Sequence, residues 1–96
     1  SVEHVLPENP DAHWPEFDDL QHESFVYRLG NMTLLATTSN RDLGNASYVV
    51  KRDVYRESEL STTRRLAEEN AEWTPERIAA RQQQMARTAV GIWRIS

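Results

Sequence analysis

The chain contains no cysteine among its 96 residues, which excludes disulfide bonds and metal sites built on thiolates. It also has no apolar run near the roughly 20 residues that a membrane-spanning helix requires. We recognise no signal peptide, internal repeat or low-complexity segment in it. We therefore expect a cytoplasmic protein that does not associate with membranes.

An excess of basic residues is missing as well, because the net charge is −4. The charge is unevenly distributed. Residues 1–30 hold seven acidic residues and one basic residue, Arg28, whereas residues 31–96 carry a net charge of +2. A nucleic-acid-binding domain with this balance would need other parts of a longer chain to supply most of its affinity for phosphate.

The length and the apolar content of 39% suit a single globular domain with a modest core. The chain starts at Ser1 rather than at methionine, and it reaches its most informative motif by residue 3. We therefore interpret residues 1–96 as one domain, and as the C-terminal fragment of a larger protein.

Local patterns predict an α+β fold. Apolar, strand-favouring residues predict strands over 2–7 and 32–36, paired antiparallel, and Pro7 ends the first strand. Pro15 and the acids after it predict a helix over residues 15–27, which Gly30 ends. Further helices are predicted from a cap at Thr38 or Ser39 through Asn40 as far as Gly44, and over 46–56, 61–70 and 75–93.

The first strand places a carboxylate directly before an imidazole, at Glu3 and His4. Neighbouring side chains on a strand point to opposite faces, so the two share a site only if the strand end bends or a metal lies near its edge. His4 taken alone also suits a strand histidine whose ring is satisfied by a backbone carbonyl. Asn31 opens the second strand, and Asn40 lies in the first turn of the helix after it.

This arrangement resembles the HNH, or His-Me finger, nuclease motif. The longer pattern resembles the C-terminal domain of the GmrSD-type, modification-dependent restriction enzymes, which belong to phage defence. The residues that carry the longer resemblance are Glu3, His4, the run Leu29-Gly30-Asn31-Met32-Thr33-Leu34-Leu35, Asn40, Asn45, Lys51, Tyr55, Trp73, Arg81 and Trp93. The resemblance implies a ββα-metal core, a hairpin plus helix, wrapped by additional helices.

The resemblance also implies a division of roles in phosphodiester hydrolysis. His4 would be the general base, since histidine exchanges protons near neutral pH. Glu3 and Asn40 would hold Mg²⁺ or Mn²⁺ through oxygen atoms, the ligands that these ions prefer. Asn31 would belong to the catalytic set by tying down the loop near His4 rather than by touching the metal. Glu3 could instead orient His4.

The substrate implied by the resemblance is DNA, with a preference for modified DNA as an open possibility. An NTP-using, ParB-like N-terminal domain is implied in the parent chain. Candidate contacts to DNA phosphates are Arg41, Lys51, Arg52 and Arg81. Lys51 and Arg52 equally suit a solvated helix face, and Arg81 could pair with Glu72 or Glu76. We expect the tryptophans to lie in the core.

Two other interpretations stay open from the sequence. The domain could have kept the fold while losing catalysis, and now bind DNA or a partner protein. It could also be a helical docking module in which Glu3 and His4 are incidental. The geometric discriminator is whether His4 and the side chain of Asn40 face one cleft.

Overall fold

A computed structural model describes the backbone of residues 1–95 and the side chains of residues 1–39 and 43–91. Two short strands, β1 (Val2–His4) and β2 (Met32–Leu34), form an antiparallel sheet. Glu3 is paired with Thr33, and His4 with Met32. The alternation of the strands buries Glu3 and Thr33 on one face and leaves His4 half-buried on the other.

Both strands are shorter than the predicted ranges, although their pairing is as predicted. The backbone N–H of Val5 still donates to the carbonyl of Asn31 at 2.9 Å. At Leu6 the partner is no longer a strand but the Asn31 side chain, and Pro7 has no N–H to donate. The backbone hydrogen bonds between the two strands therefore end at Leu6, where the Asn31 side chain is the partner instead.

The described backbone contains five α-helices in addition to the two strands. The predicted α+β class is therefore confirmed. The helices are α1 (Asp19–Phe25), α2 (Thr37–Leu43), α3 (Tyr48–Arg56), α4 (Ser61–Glu69) and α5 (Pro75–Ile95). The predictions for α3, α4 and α5 are confirmed to within two residues at each end. Helix α2 starts at Thr37, slightly before the predicted cap, and Gly44 ends it with a φ of +47°.

The predicted helix over residues 15–27 is wrong at its start. The Asp18 carboxylate accepts from the N–H of Gln21 at 2.8 Å, and the Gln21 side chain accepts from the N–H of Asp18 at 3.0 Å. This reciprocal capping box satisfies two of the otherwise unpaired N–H groups at the helix start, so the helix begins at Asp19.

Gly30 also has a different role from the predicted helix stop. Helix α1 ends at Phe25, and Gly30 lies in a 3₁₀ turn over Leu29–Asn31 that packs directly on α5. A Cβ atom at Gly30 would lie 2.3 Å from the carbonyl oxygen of Ile78. Glycine is therefore required here for close approach of two backbones.

The core combines aliphatic side chains with a group of aromatic rings around Tyr48 of α3. Trp73 stacks on Tyr48 with 5.7 Å between ring centroids, and Trp14 packs against the other side of this pair at 6.4 Å from Tyr48. Trp14 and Trp73 are buried, as predicted. The Trp93 side chain lies outside the described residues. Within the described chain, no helix is long and apolar enough to cross a membrane.

Candidate active site around His4

His4 is the last residue of β1, and its imidazole lies on the half-exposed face of the sheet. The edge of the ring meets the ring of Tyr27 at 5.7 Å between centroids, with the planes at 89°. No side chain among residues 1–39 and 43–91 hydrogen-bonds the imidazole.

Tyr27 holds the His4 ring from the side. Its hydroxyl donates to Glu8 at 2.8 Å, and this hydrogen bond raises the pKa of Tyr27 above its usual value. Sequence reasoning missed Tyr27, because no spacing rule connects a residue after α1 with a histidine in β1. The contact between the rings of Tyr27 and His4 forms only in the folded domain.

Asn31 is fully buried and satisfies its whole hydrogen-bonding capacity inside the domain. Its Oδ1 accepts from the N–H of Leu6 at 2.8 Å and from Trp73 Nε1 at 2.9 Å. Its Nδ2 donates to the carbonyls of Leu6 and Val26, each at 2.9 Å. With two donors and two acceptor positions occupied, the side chain has nothing left for substrate. Its contacts are those of a positioning residue that fixes the segment after His4.

Glu3 lies on the inner face of the sheet, 3% exposed, and away from the His4 ring. Its Oε2 accepts from the Tyr55 hydroxyl at 2.7 Å and lies 3.2 Å from Lys51 Nζ. Burial raises the pKa of Tyr55, and the charge and hydrogen bond of Glu3 raise it further, so Tyr55 stays a hydrogen-bond donor. The carboxylate is thus paired inside the core.

Lys51 is fully buried, which corrects the expectation that it contacts DNA phosphate. Its Nζ donates to the carbonyls of His4 at 2.9 Å and Val5 at 3.0 Å, while Glu3 takes the third position. These three partners match the three N–H donors of an ammonium group. Burial lowers the pKa of Lys51, and the neighbouring Glu3 opposes that shift. Lys51 thus caps the open edge of β1 at His4.

Arg81 plays a similar part on the opposite edge of the sheet. Its Nη1 donates to the carbonyls of Gly30 at 3.0 Å and of Met32 at 2.6 Å. Burial lowers the pKa of Arg81. The anticipated alternative of a pair with Glu72 or Glu76 is replaced by these backbone carbonyls. His4 and its strand partner Met32 are therefore each held by a cation from a different helix.

The other expected DNA contacts are less constrained. Arg52 is half-buried, and its Nε donates to the carbonyl of Ala67 at 2.9 Å, which joins α3 to α4. The side chains of Arg41 and Asn40 lie outside the described residues. Whether Asn40 faces the His4 cleft is therefore still a prediction, although helix α2 follows β2 in the expected chain order.

The expected metal ligands can be tested against this geometry. A Mg²⁺ or Mn²⁺ site needs several oxygen ligands around one point. Glu3 does not fit such a site beside His4, because its carboxylate points into the core and is engaged by Lys51 and Tyr55. Across the described side chains, no group of three or more histidine, aspartate or glutamate residues could hold a metal ion.

Comparisons with known proteins add a family to this geometry. Searches of curated proteins and of solved structures gave no match. The sequence model of the family described as GmrSD restriction endonucleases, C-terminal domain, matches residues 1–88. The match includes β1 and β2. It also includes four buried residues of the network beside His4, namely Glu3, Asn31, Lys51 and Tyr55. The chain belongs to the family of GmrSD restriction endonuclease C-terminal domains.

Proposed function

We propose that this domain cuts DNA by hydrolysing a phosphodiester bond, with His4 as the general base. The observation that carries the proposal is the setting of His4. Its backbone is fixed from the core by Lys51, while its ring lies half-exposed with no hydrogen-bonding side chain among the described residues. Membership of a restriction endonuclease family gives such a histidine a DNA substrate to act on.

The other two histidines support this choice by contrast. His22 Nε2 donates to the carbonyl of Pro7 at 2.8 Å, so its ring has a structural partner. His13 is exposed in a 3₁₀ turn over Asp11–His13. Neither is held at a strand end by a buried network, as His4 is.

In the proposed reaction, the neutral His4 imidazole takes a proton from a water molecule as the water oxygen attacks phosphorus. The bond between phosphorus and one ester oxygen breaks, and that oxygen leaves with its electron pair and takes up a proton from solvent. Tyr27 keeps the ring from turning, Lys51 fixes the carbonyls of His4 and Val5, and Asn31 fixes the backbone of Leu6. Removal of a general base typically lowers the rate by about 10²–10⁴.

The ββα-metal arrangement and the need for Mg²⁺ or Mn²⁺ belong to this proposal. The chain order of β1, β2 and α2 supports the arrangement. We propose Asn40, and not the buried Glu3, as the protein ligand nearest to the reaction. Recognition of modified DNA, and action together with an NTP-using N-terminal domain, are proposed on the strength of the family alone.

The test is a plasmid-nicking assay with the full-length parent protein in Mg²⁺ or Mn²⁺. We expect His4→Ala to lose nicking and His13→Ala, the matched control, to keep it. A chelator should stop nicking by the wild type. Equal nicking by wild type and His4→Ala, with both proteins folded by circular dichroism, would reject His4 as the base.

One observation favours a second candidate function, that of a module that binds DNA or a partner protein without catalysis. The carboxylate expected to bind metal is instead paired with Lys51 in the core. In that case the intact parent protein would bind DNA and show no nicking with any divalent metal. Nicking that depends on His4 would exclude this alternative.

A further inference from the structure

A groove rich in arginine lies between α4 and residues 77–89 of α5. It is open to solvent and has a volume of about 710 Å³. Residues 83–90 of α5 are all exposed, because the helix extends past the core at this point. The groove is lined by residues of both helices and the turn between them, which include Leu66, Glu69, Ala80, Gln84, Met85 and Thr88.

The groove concentrates positive charge in a chain whose net charge is negative. Arg65, Arg77, Arg81 and Arg87 line it, and Glu69 is the single acidic residue among the lining residues. Glu69 already lies 3.3 Å from Arg65, so its charge is locally balanced. None of the six exposed acids of residues 8–23 lies in the groove, and the exposed Glu68, Glu72 and Glu76, on the two helices and the turn between them, are not among its lining residues. The lining itself therefore carries a net positive charge, which is complementary to a polyanion.

The groove is also connected to the proposed catalytic residue. Arg81 lines it, and the same side chain donates to the carbonyl of Met32. Met32 is the strand partner of His4. A polyanion in the groove would therefore lie within one strand of the site at which His4 acts.

We propose that this groove binds the sugar-phosphate backbone of the DNA substrate. Guanidinium groups suit phosphate because their planar N–H donors bind two oxygens at once. The side-chain amide of Gln84 adds a further donor, whereas the Thr88 hydroxyl already donates to the Gln84 carbonyl at 3.0 Å. The apolar floor around Leu66 and Met85 could also receive an acidic protein segment, but four arginines spread over two helices suit the repeated charge of a nucleic acid better. This inference rests on the proposed function.

Binding to a short DNA duplex by the full-length protein tests the proposal. We would measure affinity across a range of salt concentrations for wild type, Arg77→Gln, Arg87→Gln and the double variant. Both side chains are exposed, so the fold should survive. Each lost phosphate contact should reduce the slope of log K against log salt by about 0.9. Arg87→Lys should retain the wild-type slope, because it keeps the charge.

Arg56→Gln is the matched control, since Arg56 is an exposed arginine of α3 outside the groove. It should leave the slope unchanged. An unchanged slope in the double variant would overturn the proposal. So would variants that lose binding to polyglutamate while keeping the wild-type slope with DNA, because the groove would then be a site for an acidic protein. If His4→Ala nicks normally while the slopes fall as expected, catalysis by His4 is wrong and the groove stands.

Discussion

At the scale of single residues, Lys51 is the side chain on which the site depends most. It joins a buried carboxylate to the carbonyls of His4 and Val5. A buried charge that loses its partner is costly, whereas a pair replaced as a whole by neutral groups can be nearly neutral. The pair Glu3 and Lys51 should therefore act as a unit in folding.

We predict that Lys51→Met lowers the free energy of unfolding by about 3–5 kcal/mol, because Glu3 is left charged and unpaired in the core. The double variant Glu3→Gln with Lys51→Met should recover a large part of this loss. Urea unfolding of four proteins, wild type, both single variants and the double variant, measures the coupling. A Lys51→Met variant of wild-type stability that binds DNA less tightly would instead restore Lys51 as a phosphate contact.

Tyr48 gives a prediction for alkaline pH. Burial raises its pKa from 10.0 to about 12, and its hydroxyl donates to the carbonyl of Asn70 at 2.7 Å. The pKa is higher in the folded state, so this stabilisation is complete below pH 10 and is lost as the pH rises towards 12. The lowered pKa of Lys51 acts in the opposite sense, but only below its ordinary value of 10.5.

Between pH 10.5 and 12, the tyrosines should lower the free energy of unfolding as the pH rises, while the lowered pKa of Arg81 opposes them. Tyr48→Phe should fall less steeply than wild type over this range, because it has no proton to lose. Urea titrations at several pH values give both slopes. Identical slopes for the two proteins would contradict the account of Tyr48.

At the scale of elements, local signals in the sequence predicted where helices form better than which side chains they bring into contact. Helices α3, α4 and α5 followed from apolar spacing and from Thr74-Pro75 at a helix start. The buried role of Lys51 could not be predicted, because its partner Glu3 lies in a distant element and a lysine on a helix face is normally solvated. Tyr48, Lys51 and Tyr55 do share one helix face, and that spacing was the available signal.

The Leu29–Asn31 turn packs so closely on α5 that one added carbon atom at Gly30 would disturb the contact. Gly30→Ala places a methyl group 2.3 Å from the Ile78 carbonyl and 3.0 Å from Gln82 Cβ. We predict a loss of about 1–3 kcal/mol in the free energy of unfolding, as for other overpacked sites. Gly91→Ala is the control, because among the described residues a Cβ there meets no atom of another part of the chain within 4 Å, and alanine favours a helix. A Gly30→Ala protein as stable as wild type would show that the turn and α5 are not in contact.

At the scale of the whole molecule, charge is unevenly distributed. An acidic segment, residues 8–23, holds six exposed acids, and residues 53–76 hold seven more. Of all these, only Glu69 lines the groove between α4 and α5, beside four arginines. DNA seated on the arginines would be kept away from the acidic segment by repulsion, which gives the substrate one preferred orientation. A local cluster of arginines would let a domain with a net charge of −4 bind DNA as proposed.

The central claim, that His4 takes the proton from the attacking water, is tested most directly by single-turnover cleavage at saturating DNA. The full-length wild type and His4→Ala would be compared, with the Kd for the same duplex measured by fluorescence anisotropy. The account predicts a rate constant lower by about 10²–10⁴ at an unchanged Kd. A rate constant equal to that of wild type would contradict it, as would a loss of cutting explained entirely by weaker binding.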